Sequence, residues 1–184
     1  MELNKAIKSR KSVRKFGKKK PNWKDILDCI DSMRYAPTAG NNCTLKIILV
    51  DDPKKIEKIS KACQQDFIAE AKYLVAVCSK KERLVNAYGN EGEKFNKQQI
   101  GSAIQNLLLN IEEKGLSTCW IGYFVEEQIK KLLSIPKDIE VEAIFPIGFQ
   151  KEKETTRRVK TDLKNILYFN KYGEGRMKPL RRID

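Results

Sequence analysis

The run "YLVAVC", residues 73 to 78, is six consecutive apolar side chains between Lys72 and Ser79-Lys80. A run of that length reads as a strand, and the lack of polar residues at alternate positions buries it on both faces. Its sheet must then be covered by helices, which confines the chain to a layered fold. Two further segments read as strands. "LKIILV" (45–50) is rich in β-branched residues, and "IEVEAIFPIGF" (139–149) alternates Val141, Ala143 and Phe145. "STCWIGYF" (117–124) reads as a strand running into a turn at Gly122.

The helices come from spacing. Leu3, Ala6 and Ile7 share one face of a short first helix ending near Arg10. Trp23, Ile26, Leu27, Ile30 and Met33 predict a helix from Trp23 to about Tyr35, stopped by "APTAGNN" (36–42). Asp52 caps a third helix with Pro53 at its first position. The longest helix spans 96–115, where Ile100, Ala103, Ile104, Leu107, Leu108 and Ile111 form a broad apolar stripe and Gly115 supplies the stop. "EEQIKKLLSI" predicts one more helix, ended before Pro136. Residues 80–95, polar and with glycines at 89 and 92, read as a mobile connection or lid, and 150–161 as a charged loop. Two helices precede any strand, so an α+β fold with a mixed sheet fits better than a doubly wound parallel one. The length of 184 residues suits one domain, 1–184, with 162–184 as a C-terminal extension.

Composition narrows the chemistry. No apolar run approaches the roughly 20 residues of a membrane helix, and the charged N-terminus lacks a signal-peptide core. A cytoplasmic protein without membrane contact is expected. Cys29, Cys43, Cys63, Cys78 and Cys119 are widely spaced, and the chain has no histidine, so no metal site is expected. The missing histidine also removes the usual general base, so an enzyme of this composition depends on a cofactor. The net charge of +13 sits at the ends: residues 1–24 carry ten Lys/Arg against Glu2, and residues 151–184 carry eleven against five acids. Within "SRKSVRKFGKKK" (9–20), Arg10, Lys11, Arg14 and Lys15 surround Ser12. Like charges that close call for an anionic partner or a solvated face.

Four pieces, in order, resemble the FMN-dependent nitroreductase family of short, single-domain type: "SRKSVRKF", "RYAPTAGNN", "AIQNLLLNIEEKGLSTCWIGYF", and "FPIGFQ" followed by "RRVKTDL". The resemblance implies a mainly antiparallel sheet flanked by helices in an intertwined homodimer. FMN would lie at the interface, and the C-terminal extension would wrap the partner. It also implies an oxidoreductase that takes hydride from NADPH or NADH onto flavin N5. The hydride then passes to a nitroaromatic, quinone or flavin by a ping-pong cycle. The flavin carries the chemistry, so no side chain is assigned a catalytic role.

By the same resemblance, Arg10, Lys11 and Ser12 hold the phosphate and ribityl end, joined by Arg158 and Lys160. An arginine fork suits a terminal phosphate. Arg14 reaches the pyrimidine edge, where a cation stabilises the reduced flavin. Pro37, Thr38, Ala39 and Asn41 approach from the other subunit, and Gln65 is a candidate middle-helix contact. Gly122 lets the backbone come close, and the N–H of Ile121 points at N5. Cys43, Tyr88, Tyr123 and Phe124, with Phe95 and Asn96 nearby, line the acceptor pocket. One departure stands out: Cys43-Thr44-Leu45 replaces the family's common Gln-Pro-Trp. Cys43 is either a reactive thiol near the flavin or a small apolar residue. Two other readings stay open. One is an FMN-binding carrier or sensor with little turnover, and the other a nucleic-acid-binding module using the basic ends, although no nucleic-acid motif is present.

Overall fold

Every residue of β2 (Tyr73–Ser79) is buried, as its composition requires. In the computed structural model, which describes residues 1–151 and 160–176, β2 pairs antiparallel with β1 (Leu45–Val50) on one side. On its other side it pairs antiparallel with β4 (Glu140–Gly148). The two-residue β3 (Ser117–Thr118) pairs with β4, giving the order β1-β2-β4-β3. The expected α+β architecture with a mainly antiparallel sheet is observed.

Six helices lie in the Met1–Glu154 unit: α1 (Leu3–Ser9), α2 (Trp23–Asp31), α3 (Pro53–Ala62), α4 (Glu82–Tyr88), α5 (Asn90–Glu113) and α6 (Glu126–Leu133). Alternate residues of the central strands serve different layers. Val75, Val77, Ala143 and Phe145 pack with Ile26 of α2 and with Ile104 and Leu107 of α5. Leu74, Ala76, Cys78 and Ile144 pack with Ile56 and Ile59 of α3 and Ile129 of α6. Each fully buried Ile or Leu in these layers contributes about 1.5–3 kcal/mol.

Local chemistry sets the helix ends. The Asp52 carboxylate accepts the amides of Lys54 (2.9 Å) and Lys55 (3.4 Å) ahead of Pro53. Asn22 caps α2 by accepting from Lys24. Gly115, at φ +68°, ends α5, and the Leu116 amide returns to the Ile111 carbonyl. The helix expected from Trp23 to Tyr35 is α2 followed by a 3-10 turn over Ser32–Tyr35.

Residues 80–95 correct the sequence reading. They form the helical hairpin of α4 and the first turns of α5 rather than an irregular connection, so the long helix starts at Asn90 rather than 96. The glycines belong to this packing. Gly89, at φ +57° and ψ −135°, makes a one-residue break that an L side chain rarely adopts. Gly92 is buried where any Cβ would collide with the Leu84 carbonyl. The segment 117–124 also departs from expectation, being strand only at Ser117–Thr118.

The Thr155–Asp184 unit, described from 160 to 176, contains a turn at Leu163–Asn165 capped by Asp162. The rings of Tyr168 and Tyr172 lie 4.6 Å apart.

On the first unit, Lys81 bridges Glu140 (2.6 Å) and Glu93 (2.7 Å), while Lys97 bridges Glu140 (3.0 Å) and Glu142 (2.8 Å). The hydrogen bond from Lys81, with a further one from Lys97, holds the Glu140 carboxylate below its ordinary value of 4.5. Hydrogen bonds to Glu140 and Glu93 push Lys81 above its ordinary 10.5. Glu140 therefore stabilises the fold fully above 4.5 and loses that contribution as pH falls through its lowered folded value. Lys81 contributes fully below 10.5 and loses its share as pH rises through its raised one. Urea unfolding from neutral to strongly acidic pH should show a smaller acid loss in Glu140→Gln than in the parent chain. In the hairpin, Gly92→Ala should lower unfolding free energy by about 1–3 kcal/mol, the cost of overpacking, measured by the same denaturation.

Candidate functional site

The basic stretch leaves α1 at Arg10 in extended backbone (φ −52°, ψ 125°) and continues beside β3, the edge strand. Ser12 forms an isolated parallel bridge with Thr118, and the Val13 amide donates to the Thr118 carbonyl at 2.9 Å. Further along, the Phe16 amide donates to Glu70 Oε2 (2.9 Å), and the Gly17 amide to the Phe149 carbonyl (2.8 Å). Val13 and Phe16 are the inward anchors, 2% and 4% exposed, and pack with Ala71. Arg14 and Lys15 are exposed, whereas Arg10, Lys11 and Ser12 are half-buried. A chain of like charges is thus held in place by backbone hydrogen bonds and two apolar side chains. Lys19 and Lys20 rest over the Phe149 and Tyr73 rings at 5.0 and 4.8 Å.

This pairing brings Ser12 to the residue just before "CWIG". Cys119 and Ile121 point into the core, while Trp120 is half exposed with its ring 5.7 Å from Phe145. Ile121 corrects the sequence reading: its amide donates to the Ile144 carbonyl at 3.0 Å, and the Ile144 amide donates back. That N–H is engaged within the protein and is not aimed at a ligand. Gly122 and Tyr123, the next two residues, are exposed. Phe124 is half-buried and packs against the α3/α6 layer.

Two buried polar atoms lack a hydrogen-bond partner among the described residues, Thr118 Oγ1 and Gln150 Nε2. Both belong to residues bridged to the basic stretch, Thr118 to Ser12 and Gln150 to Phe16. A buried hydroxyl left unpaired costs about 1–3 kcal/mol, so such atoms mark where a polar ligand or water is received.

A second group forms around the turn at 37–44. Gly40 and Asn41 both have positive φ, +55° and +56°. The Tyr88 hydroxyl lies where a Gly40 side chain would be, so Tyr88 does reach this turn. From below, Gln99 Oε1 accepts the Ala39 amide (3.1 Å), and Gln99 Nε2 donates to the Asn42 carbonyl (3.3 Å) and to Thr44 Oγ1. The Ala39 amide is therefore not available to a ligand. Thr38 and Cys43 line a small crevice with Thr44 and Gln99. Pro37 and Asn41 are exposed.

Gln99 and Asn96 were missed as supports by sequence reasoning. Their signal was two amide side chains three residues apart on the buried stripe of the long helix. Asn96 is fully buried and cannot line an acceptor pocket. Gln65 sits in the turn after α3, not on a helix. Arg158 lies outside the described residues, and Lys160 is exposed in the second unit. No cluster of three or more metal-ligating residues occurs among the described residues. Concavities of about 650 and 680 Å³ beside α3 and α6 are lined by lysines such as Lys54 and Lys131, and include none of the residues marked by the sequence.

Of the five cysteines only Cys43 is exposed. Burial raises the Cys29 thiol to about 12, and the Cys63 and Cys78 thiols to about 11. A disulfide reagent at neutral pH should therefore titrate one thiol per native chain, absent in Cys43→Ser, and five after unfolding.

The nitroreductase family model matches residues 7–88 and 60–149. An iodotyrosine deiodinase of Thermotoga neapolitana is 25% identical, over 77% of this chain and 85% of that protein. A protein of Archaeoglobus fulgidus, provisionally named NADH dehydrogenase/NAD(P)H nitroreductase, is 25% identical over 83% of this chain and 88% of its own length. Among solved structures, a nitroreductase family protein of Clostridium novyi superposes with a TM-score of 0.76 at 27% identity, covering 95% of this chain and 96% of that one. An FMN-dependent nitroreductase of Clostridium difficile gives 0.78 at 21% identity, covering 91% and 98%. With the family model spanning most of the chain and the fold shared over 95% of it with a relative of 27% identity, this protein belongs to the nitroreductase family.

Proposed function

We propose that the chain is an FMN-dependent oxidoreductase working as a homodimer. It would take hydride from NADPH or NADH and pass it to an electron-poor acceptor by a ping-pong cycle. Bound FMN would supply the hydride-accepting and hydride-donating centre. The observation that carries this reading is the buried Thr118 hydroxyl, unpaired among the described residues, on the residue bridged to Ser12 of the cationic segment and leading into the turn at the exposed Gly122. A phosphate and a polar isoalloxazine edge match that set of donors.

In this reading Arg10, Lys11 and Ser12 receive the phosphate, and Arg14 faces the pyrimidine edge. With the Ile121 amide engaged by Ile144, the N5-facing donor is reassigned to the amide of Gly122. Pro37, Thr38 and Asn41 contribute from the partner subunit, and Ala39 through groups other than its amide. Tyr88, Tyr123 and Cys43 border the acceptor space. The homodimer is supported by Leu3, Ile7, Trp23 and Leu27, large apolar side chains 41–65% exposed on α1 and α2. No helix among the described residues is long and apolar enough to cross a membrane, and we place the protein in the cytoplasm.

Nitroaromatics, quinones and flavins are the acceptor classes to assay first. The relative named iodotyrosine deiodinase adds a halogenated phenol to that panel. The testing experiment is the visible spectrum of purified protein supplied with FMN, before and after anaerobic NADPH or NADH. A flavin band that bleaches with either donor and returns on adding a quinone or nitroarene is expected. Bound flavin that neither donor bleaches points to a carrier or sensor, and failure to take up FMN removes the flavin reading. Arg10→Ala should weaken FMN binding about 10- to 100-fold, the worth of a charge-assisted phosphate contact, read by fluorescence titration.

A further inference from the structure

Beneath the 37–44 turn runs a buried chain of hydrogen bonds whose direction is set at its far end. The Glu142 carboxylate, paired with Lys97 at 2.8 Å, accepts from the Ser79 hydroxyl and from Asn96 Nδ2 (3.1 Å). A carboxylate only accepts, so Asn96 must turn its NH₂ toward Glu142 and Ser79 and its carbonyl oxygen toward Thr44. The Thr44 hydroxyl donates to that oxygen at 2.6 Å and accepts from Gln99 Nε2. Gln99 is thereby left with its oxygen facing the turn, where it takes the Ala39 amide at 3.1 Å. Ser79, Asn96, Gln99 and Thr44 are each at most 6% exposed, so the route is shielded from bulk solvent. Thr44, like Ser79 at the far end, both accepts and donates through the same oxygen, and it joins Asn96 to Gln99. Proline, the family's common residue at that position, could not take its place.

We infer that Glu142, Asn96, Thr44 and Gln99 form a directional relay that positions the 37–44 turn, and that this chain uses it to hold the turn in the shape that receives FMN. These are positioning residues, buried out of reach of the ligand. The inference rests on the flavin reading above for the identity of the ligand, but its geometric part is testable without any ligand. A broken link leaves at least one neighbouring buried polar atom unpaired, and the turn loses the acceptor that orients Ala39.

The test uses the full-length chain and two readouts. The first is hydrogen exchange at the Ala39 amide in the FMN-free protein. It should be protected in the parent chain and in Thr44→Ser, and fast in Thr44→Val, Gln99→Met and Glu142→Met, which removes the accepting oxygen. The second is FMN affinity, measured well below each variant's own unfolding midpoint. It should weaken about tenfold in Thr44→Val and Glu142→Met and stay at the parent value in Thr44→Ser. A purely structural role would lower the unfolding midpoint and leave both readouts unchanged in the folded fraction, which overturns the inference. Equal exchange at Ala39 in the parent and in Glu142→Met overturns it even where Thr44→Val does not fold. A parent chain that takes up no FMN defeats the flavin reading and the FMN clause together. Ala39 exchange then still decides whether the relay sets the turn.

Discussion

The hydrogen bond from the Val13 amide to the Thr118 carbonyl, 2.9 Å long, determines where the charge of the N-terminus goes. With the Phe16 and Gly17 amide bonds further along, it lays the residues from Arg10 to Lys15 along the sheet edge, bridged at Ser12 and Phe16 and anchored by the buried Val13 and Phe16 side chains. The same bond sets Ser12 beside Thr118, one residue from the turn that exposes Gly122. The cationic segment and the strand that leads into the glycine turn lie far apart in sequence, and the sheet edge brings them together.

Three features of that edge act together. β3 is two residues long, so the strand stops before the turn and leaves the following backbone exposed. Ile121 returns to pair with Ile144, which pulls its side chain into the core and limits how far the turn can move. The hydroxyl of Thr118 stays buried without a partner among the described residues, an arrangement that is costly unless a ligand or water completes it. In the flavin reading proposed above, stability would be given up at this residue for recognition, as is common where binding sites meet a packed sheet.

Much of this was legible beforehand. The continuous run at 73–78 reads as a central strand because burial on two faces leaves no room for polar alternation, and β2 is such a strand. The stripe from Ile100 to Ile111 reads as a central helix for the parallel reason. Residues 80–95 were illegible because their two glycines look like loop punctuation. In the structure one permits a left-handed break and the other a close helix crossing, and neither purpose leaves a mark in local sequence. The role expected of the Ile121 amide failed because strand pairing between distant residues decides which amides are free. Asn96 and Gln99 were overlooked because a polar residue on an apolar stripe has meaning only once its partners, Thr44 and Glu142, are known to be adjacent.

The central claim is that the anion site lies along Arg10–Ser12 and Thr118, and not in the lysine-lined concavities elsewhere on the molecule. Backbone amide chemical-shift mapping during an FMN titration tests it most directly. The account requires perturbations concentrated at residues 10–14, at 118–123 and in the 37–43 turn. Perturbations centred instead on Lys18, Lys72 and Lys151, which line the cavity beside Phe16, or on the lysines of α3, would contradict it.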